Sequence, residues 1–207
     1  MSQKTIWRML RVVRWVPLVL CLLYILLVLV RIPAVAEKEK SGKAVIDIQA
    51  QHITVGDVLG NNLPPTPDEA QNSATLAGVD VNKNNIRDDI ELSIFSATTN
   101  AQVRAAELQY VFAKQLALTS VFDSDTWVAF VVQENRGFQC LGQALLQAGV
   151  PKNNLISMVV KRTEELTALT LDTQLRKDAY ERAERFATSY VLDGSHVCDV
   201  DLDMLQN

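Results

Sequence analysis

Histidine is almost missing from this chain: 207 residues carry only His52 and His196. The two lie far apart in turn-like settings, where surface positions are the simpler reading than ligands or bases. Cysteine is nearly as scarce, at Cys21, Cys140 and Cys198. No His sits beside a Cys, so a Cys nucleophile has no base placed near it in sequence. The chain also lacks GxGxxG, a P-loop, HExxH and GxSxG, which weakens the case for an enzyme. No internal repeat is present. A basic excess is lacking as well: 24 Asp and Glu outnumber 20 Lys and Arg.

The charge is unevenly spread. Residues 1–36 hold Lys4, Arg8, Arg11, Arg14 and Arg31 and no acid, so the remainder carries 15 basic against 24 acidic residues, about −9. Such a surface argues against nucleic acid and against docking on anionic lipid. Trp15 to Ile32 is Leu-rich and apolar except for Arg31, near the minimum length of a spanning helix. Trp7 and Trp15 suit one membrane interface, and Arg31 can snorkel to the other. Arg8, Arg11 and Arg14 place the N-terminus in the cytoplasm by the positive-inside rule. The expectation is a single-pass inner-membrane anchor through residues 15–32 with the domain in the periplasm. The alternative is cleavage after Ala36, where Pro33-Ala34-Val35-Ala36 offers the small residues a signal peptidase needs, and release to the periplasm. Leu20 before Cys21 does not suit a lipoprotein site.

What the chain does have is a twelve-residue run from Asp80 to Glu91. Oxygen-bearing side chains stand at its first, third, fifth, ninth and twelfth positions: Asp80, Asn82, Asn84, Asp88 and Glu91. That is the spacing by which EF-hand-type loops wrap Ca²⁺, with the carbonyl of Ile86 as a further ligand. Two positions depart from the pattern. Asn85 stands where Gly usually makes the turn, and Asn tolerates the left-handed backbone next best. Arg87 stands where an apolar residue is usual. The competing reading is an Asx-rich turn that caps the following helix without metal. A single loop with three acidic ligands implies a structural Ca²⁺ site of weak to moderate affinity. The loop resembles the short calcium loops of thrombospondin type-3 repeats and dockerin-like segments more than a paired sensor EF-hand.

A wider resemblance follows from Pro64-Pro65-Thr66-Pro67, Asn72, Thr75-Leu76, Gly78 and the loop, joined by Asp172-Thr173, Arg176, Ala179-Tyr180, Leu192, Gly194 and Cys198. These residues resemble uncharacterised exported, lipoprotein-like proteins of proteobacteria. The resemblance spans most of residues 64–203 and implies an exported helical domain. It supplies no activity.

The exported part reads as helical. Glu37 to Lys43 is a charged tether, and Val45 to Gln51 alternates as a weak strand. Thr54 and Asp57 cap a turn that Gly60 ends. Thr66-Pro67-Asp68-Glu69 reads as a capping box. Residues 88–98 continue from the loop. Asn100 caps a segment with Val103, Leu108, Val111, Phe112 and Leu116 at helical steps. Ser124 or Asp125 starts the next, with Trp127, Phe130 and Phe138 as core and Gly137 and Gly142 as points of close approach, and Gly149 and Pro151 stop it. Asn153 or Asn154 opens another, and Asp172 caps the last, which ends at Asp193-Gly194. The fold expected is all-α, a transmembrane helix followed by a bundle of four to five helices. The chain divides into a basic stretch and anchor (1–36), a tether and loop-rich linker (37–66) and a helical exported domain (67–207).

Cys140 and Cys198 are alone beyond the membrane, and in an oxidising compartment such a pair forms a disulfide; two separate buried thiols are the alternative. Either cysteine replaced by Ser would open the same loop at the same cost. Asp199, Asp201 and Asp203 alternate like a second ion site but lack a turn residue and a closing Glu, which leaves a solvated acidic tail. Two functions fit. One is a binding or scaffolding module of the cell envelope, stiffened by Ca²⁺ and a disulfide, with an envelope protein as its partner. The other is an envelope enzyme that uses carboxylates such as Glu134, Asp88 or Glu164 in a cleft.

Overall fold

The computed structural model describes residues 3–192 and 197–205, and every regular element among them is helical. The elements are α1 (Gln3–Ala50), α2 (Val55–Leu59), α3 (Glu69–Ser73), α4 (Asp88–Ala97), α5 (Ala101–Thr119), α6 (Ser124–Gln147), α7 (Lys152–Thr170), α8 (Gln174–Glu184) and a closing 3₁₀ turn (Leu202–Leu205). The chain separates into two units, 1–43 and 44–207.

In the first unit α1 runs through Pro17 and Pro33 without ending. It is long and apolar enough to cross a membrane, and its side chains from Trp15 to Ile32 are exposed. The charged stretch from Glu37 to Lys43 is not a loose tether but more helix. Glu and Lys are good helix formers, Glu39 and Lys43 stand four apart in the favourable order, and one Gly is not enough to break the run.

In the second unit residues 44–50 finish α1, so the alternation at Val45–Gln51 does not make a strand. The same residues send Ile48 inward, 1% exposed, and Ile53 and Val58 follow it into the core. The segment expected to be linker thus carries part of the hydrophobic cluster.

The centre is α5. The sequence pattern suggests one apolar stripe, yet almost every residue from Ala101 to Leu118 is buried. Helices on several sides enclose it: α6, α7, α8 and α4 all pack on it, along with α2 and the 3₁₀ turn. Gly137 is what lets α6 come so near, because a Cβ there would lie 2.9 Å from the Cα of Tyr110. Gly142, by contrast, has only ordinary space to Val159. Trp127 and Phe130 are core, with Phe138 packed against it.

Cap chemistry explains most boundaries. Thr54 and Asp57 form the capping box of α2, and Gly60 ends it at φ 72°. Asn100 caps α5 through the Val103 N–H. Asp123 and Thr126 form a capping box for α6, which begins at Ser124. Three expectations shift. Asp68, not Thr66, caps α3, by accepting from Gln71 N–H. Helix α7 begins at Lys152, ahead of Asn153. Thr173, not Asp172, caps α8, which ends at Glu184, short of the Asp193-Gly194 expected. Asp193-Gly194 and His196 lie outside the described residues.

Cys140 of α6 is bonded to Cys198, with Cα atoms 5.0 Å apart and a sequence separation of 58. The two ends differ in setting: Cys140 is 1% exposed within the main apolar cluster, whereas Cys198 is only partly buried. Opening a loop of this size costs about 4 kcal/mol in the chain-entropy model. Cys198→Ser should lose that amount in urea unfolding of the protein from residue 37 onward. Cys140→Ser should lose about 1–3 kcal/mol more, because its hydroxyl is buried without a partner. The equal cost expected from sequence is thereby replaced by an unequal one; equal midpoints would count against this burial.

Candidate metal centre

The loop between α3 and α4 closes on itself through its own side chains. Asp80 accepts from the N–H groups of Asn84 (3.2 Å) and Asn85 (2.9 Å). Asn84 Oδ1 accepts from Ile86 N–H at 2.9 Å, and Asp88 accepts from Val81 N–H at 3.1 Å. The Asn84–Ile86 bond is an Asx turn, and the others use the same device over longer spans, a short side chain standing in for a backbone partner. They bend the chain hard enough that Asn85 takes the left-handed backbone (φ 62°), as its place at the sixth position requires, and Lys83 does so too (φ 60°). The Lys83 conformation carries no sequence signal.

Glu91, in the first turn of α4, faces back into the loop. Asn82 Nδ2 donates to its Oε2 at 2.9 Å and Asn84 Nδ2 to its Oε1 at 3.1 Å. The structure therefore brings Asn82, Asn84 and Glu91 into direct contact, while Asp80 and Asp88 face main-chain N–H groups beside them. Ile86 is a core residue, 1% exposed. Among the described residues no three His, Cys, Asp or Glu side chains gather into a metal-holding group. A cation here would depend on amide and main-chain oxygens as much as on carboxylates. That donor set is hard and all-oxygen, as Ca²⁺ prefers, and the two amides that now donate to Glu91 each carry an oxygen at the same end.

The electrostatics of the loop are lopsided. Asp80, Asp88 and Glu91 meet no basic side chain in an ion pair among the described residues. Burial pushes the Glu91 carboxyl up to about 7, against the two Asn donors and with the charges of Asp57 and Asp88 adding to the rise. Asp88 is raised as well, first by burial and then by the charges of Asp80 and Asp89, with the Val81 N–H opposing.

On the other shoulder of the loop the charge is fully met, by residues that sequence reasoning passed over. Arg87, flagged only as a departure from an apolar position, is 1% exposed. Its guanidinium donates to Asp89 (2.6 and 2.9 Å), to Asp172 (2.8 and 3.3 Å) and to the carbonyls of Leu169 and Thr170 at the end of α7. Arg176 of α8, 0% exposed, shares Asp172 at 2.7 Å and donates to the carbonyls of Asn72, Thr75 and Leu76. Asn72 Oδ1 in turn accepts from Val79 N–H. Gly78, at φ 67°, leaves the room: a Cβ there would lie 2.3 Å from Arg87 Cδ. Asn72, Thr75, Leu76, Gly78, Asp172 and Arg176, far apart in sequence, meet here. The only signals available were the spacings Arg87-x-Asp89 and Asp172-x-x-x-Arg176.

The remaining candidates resolve into structural roles. Asp199 is not a solvated acid: its side chain is 1% exposed, paired with Arg136 at 2.6 Å and facing His52 at 3.3 Å. Glu134 pairs with buried Lys114, whose ammonium also lies 4.6 Å over the Tyr180 ring. Burial alone would lower that ammonium, but Glu134 and the two tyrosines hold it above its usual value. Glu164 is exposed on α7. No protein-family model, curated protein or solved structure matches this chain.

Glu91 makes the pH dependence of the metal-free loop the reverse of the usual carboxylate case. A carboxyl held above its unfolded value of 4.5 binds its proton more tightly in the folded chain. Protonation therefore stabilises the fold at low pH, and the gain is lost as pH rises from roughly 4.5 toward about 7. In chelator, unfolding free energy should fall over that window by at most about 3.5 kcal/mol, at about 1.4 kcal/mol per pKa unit. Glu91→Gln should flatten the curve. A profile that rises through the window in wild type would show that Glu91 is not the buried acid described.

Proposed function

We propose that this chain is a membrane-anchored helical module of the cell envelope that presents its folded unit outside the cytoplasm and binds one structural Ca²⁺ at residues 80–91. The observation that carries the reading is the loop itself. Five oxygen-bearing side chains at calcium spacing, a left-handed Asn85 at the turn and a buried, unpaired Glu91 meet in twelve residues. Asp80, Asn82, Asn84, Asp88, Glu91 and the Ile86 carbonyl would hold the ion. It would supply the positive charge that the loop's carboxylates lack. Helix capping alone accounts for the Asx turns but not for a buried Glu with two amides on it.

The anchor half of the reading rests on the arginines before Trp15 and on the apolar length of α1. It is consistent with the resemblance to exported proteobacterial proteins. Because Glu134 is taken by Lys114 and Glu164 lies exposed on α7, a binding or scaffolding role toward an envelope protein is favoured over catalysis. N-terminal sequencing of the membrane-extracted protein should find residues 1–36 retained; a start at Glu37 would replace the anchor with a cleaved leader.

Calcium must stabilise the fold by mass action if it binds only the folded loop. At about 1 mM Ca²⁺ and a dissociation constant near 10⁻⁴ M the gain is roughly 1.4 kcal/mol. That raises the melting temperature by about 3 to 6 °C for a domain of this size. Trp127 emission in the protein from residue 37 onward reports it. Mg²⁺ should do much less, because it gives up its waters reluctantly. Glu91→Gln should abolish the shift while α4 stays helical by circular dichroism. Identical melting curves in millimolar Ca²⁺ and in chelator would reduce the loop to a helix cap.

A further inference from the structure

The two sulfurs of the Cys140–Cys198 bond meet different surroundings. Cys140, within α6, is 1% exposed and belongs to the same apolar cluster as Leu141, Ala144 and Val200. Cys198 is only partly buried and lines an open cleft of about 500 Å³ with Gln143, Gln147, Asp201 and Asp203. Its Sγ lies 3.7 Å from Gln143 Oε1, in an exposed contact. Disulfide exchange requires a thiolate to touch the sulfur that it attacks. At Cys198 it arrives through the cleft, whereas at Cys140 it would have to enter the apolar core.

The charge of the cleft is one-sided. Asp201 and Asp203 are exposed on its wall, and the α6 residues facing them, Gln143 and Gln147, are neutral. Asp201 accepts from the Asp203 N–H at 3.0 Å, and Gln147 donates to Asp203 at 3.5 Å, so both carboxylates are held at the wall. Asp199, on the same wall, has its charge met by Arg136 at 2.6 Å. An incoming thiolate is negative and is repelled by this wall. A second negative group on it doubles the repulsion, and an ammonium group offsets it.

The segment around Cys198 has other holds, so opening the bond leaves it in place. Val200, Leu202 and Leu205 are each 5% exposed in the core. Gln109 and Gln102 of α5 donate to the Val197 and Leu202 carbonyls, both at 2.9 Å. Farther up the chain Tyr190 packs edge-on against Trp127 of α6 and accepts from Asn135 at 3.1 Å.

We propose that Cys198 is a site of reversible S-thiolation, attacked through this cleft by small aminothiols in preference to thiols that carry a carboxylate. The step balances. The thiol gives its proton to water, and its sulfur attacks Cys198 Sγ. A new S–S bond forms there as the bond to Cys140 breaks, and Cys140 leaves with the electron pair and takes up a proton. One disulfide replaces another, so nothing is oxidised or reduced overall. Cys140 ends as a thiol in apolar surroundings, where its thiolate is disfavoured and reversal is slow.

The test uses the full chain in detergent with Cys21→Ala, which leaves Cys140 and Cys198 as its only cysteines. Cysteamine, 2-mercaptoethanol or 3-mercaptopropionate is added in excess at low salt, and peptide mass spectrometry reads the sites after an acid quench. The adduct should sit on Cys198, with Cys140 open to iodoacetamide only once urea is added. Adduct on Cys140, adduct on both sulfurs equally, or no adduct while the chain stays folded overturns the proposal. The double substitution Asp201→Asn, Asp203→Asn then compares each thiol with itself, so that its own reactivity cancels. Cysteamine, a zwitterion as the thiolate, should change little, while 2-mercaptoethanol speeds up about threefold and 3-mercaptopropionate about tenfold, the order that two unit charges across water give. Raising the salt on the unsubstituted chain should narrow the same differences. Equal effects on all three thiols in both arms would overturn the preference for aminothiols.

Discussion

Two guanidinium groups almost wholly buried, at 1% and 0% exposure, set the terms for the rest of the unit 44–207. A buried charge is tolerated only when it is paired and its remaining donors are met. Arg87 and Arg176 meet this together with Asp89 and Asp172, two positive charges against two negative, with Asp172 bonded to both. The donors that remain go to carbonyls of residues 72–76 and 169–170. A guanidinium is planar and its N–H vectors are fixed, so each carbonyl has to lie at a set place. That is why the stretch between α3 and α4 can be irregular in conformation and still be well defined in position. Lysine at either site would keep the charge and lose the fork.

This cluster divides the calcium-type loop into two electrical halves. At Arg87 and Asp89 charge is neutralised within the protein, and Asp89 is held below its usual range because donation from and attraction to Arg87 outweigh the effect of burial. One residue before Asp89 and two residues after it, Asp88 and Glu91 point the other way, toward Asp80, Asn82 and Asn84, where no basic side chain among the described residues pairs with them. A helix start with acids in its first turn usually gains from the backbone dipole, but that gain is a fraction of what burying a carboxylate costs. The loop is therefore anchored on the side where it is neutral and left with unmatched charge on the side where its oxygens meet.

What could be read from sequence follows the range of the forces involved. Caps, helix stops and core positions are local, and Asn100, Gly60, Trp127 and Phe130 all behave as their spacing suggests. The disulfide was legible by elimination, since only two cysteines lie beyond the apolar stretch. Within the loop the left-handed Asn85 was legible too, because one residue type and one position decide it. The arginine cluster was not. Asp172 lies 85 residues from Arg87 and Arg176 lies 104 from Asn72, and nothing in periodicity marks a charged residue as buried. Asp199 misleads for the same reason: alternating acids near a chain end look solvated until a distant Arg136 is found beside one of them. The charged run at Glu37–Lys43 misleads in the opposite sense, since composition that suits a solvated tether suits a solvated helix equally well.

The all-round burial of α5 explains why its partners escape a reading of periodicity. A helix enclosed by neighbours on every side buries more than the apolar stripe that marks it in sequence, and its polar residues must find partners inside. In α5 they do so by holding segments that have no regular structure of their own. Gln115 donates to the carbonyls of Leu76 and Ala77, leading into the calcium-type loop. Gln109 and Gln102 hold the tail, Glu107 takes Arg162 of α7, and Lys114 takes Glu134 of α6. Between them these buried polar side chains fix four neighbours, the segment before the loop, the tail, α7 and α6, and an alanine at any of them would strand a main-chain or charged partner rather than merely leave a hole. The specificity of the fold lies in those long side chains, and the apolar contacts around them supply the bulk of its stability.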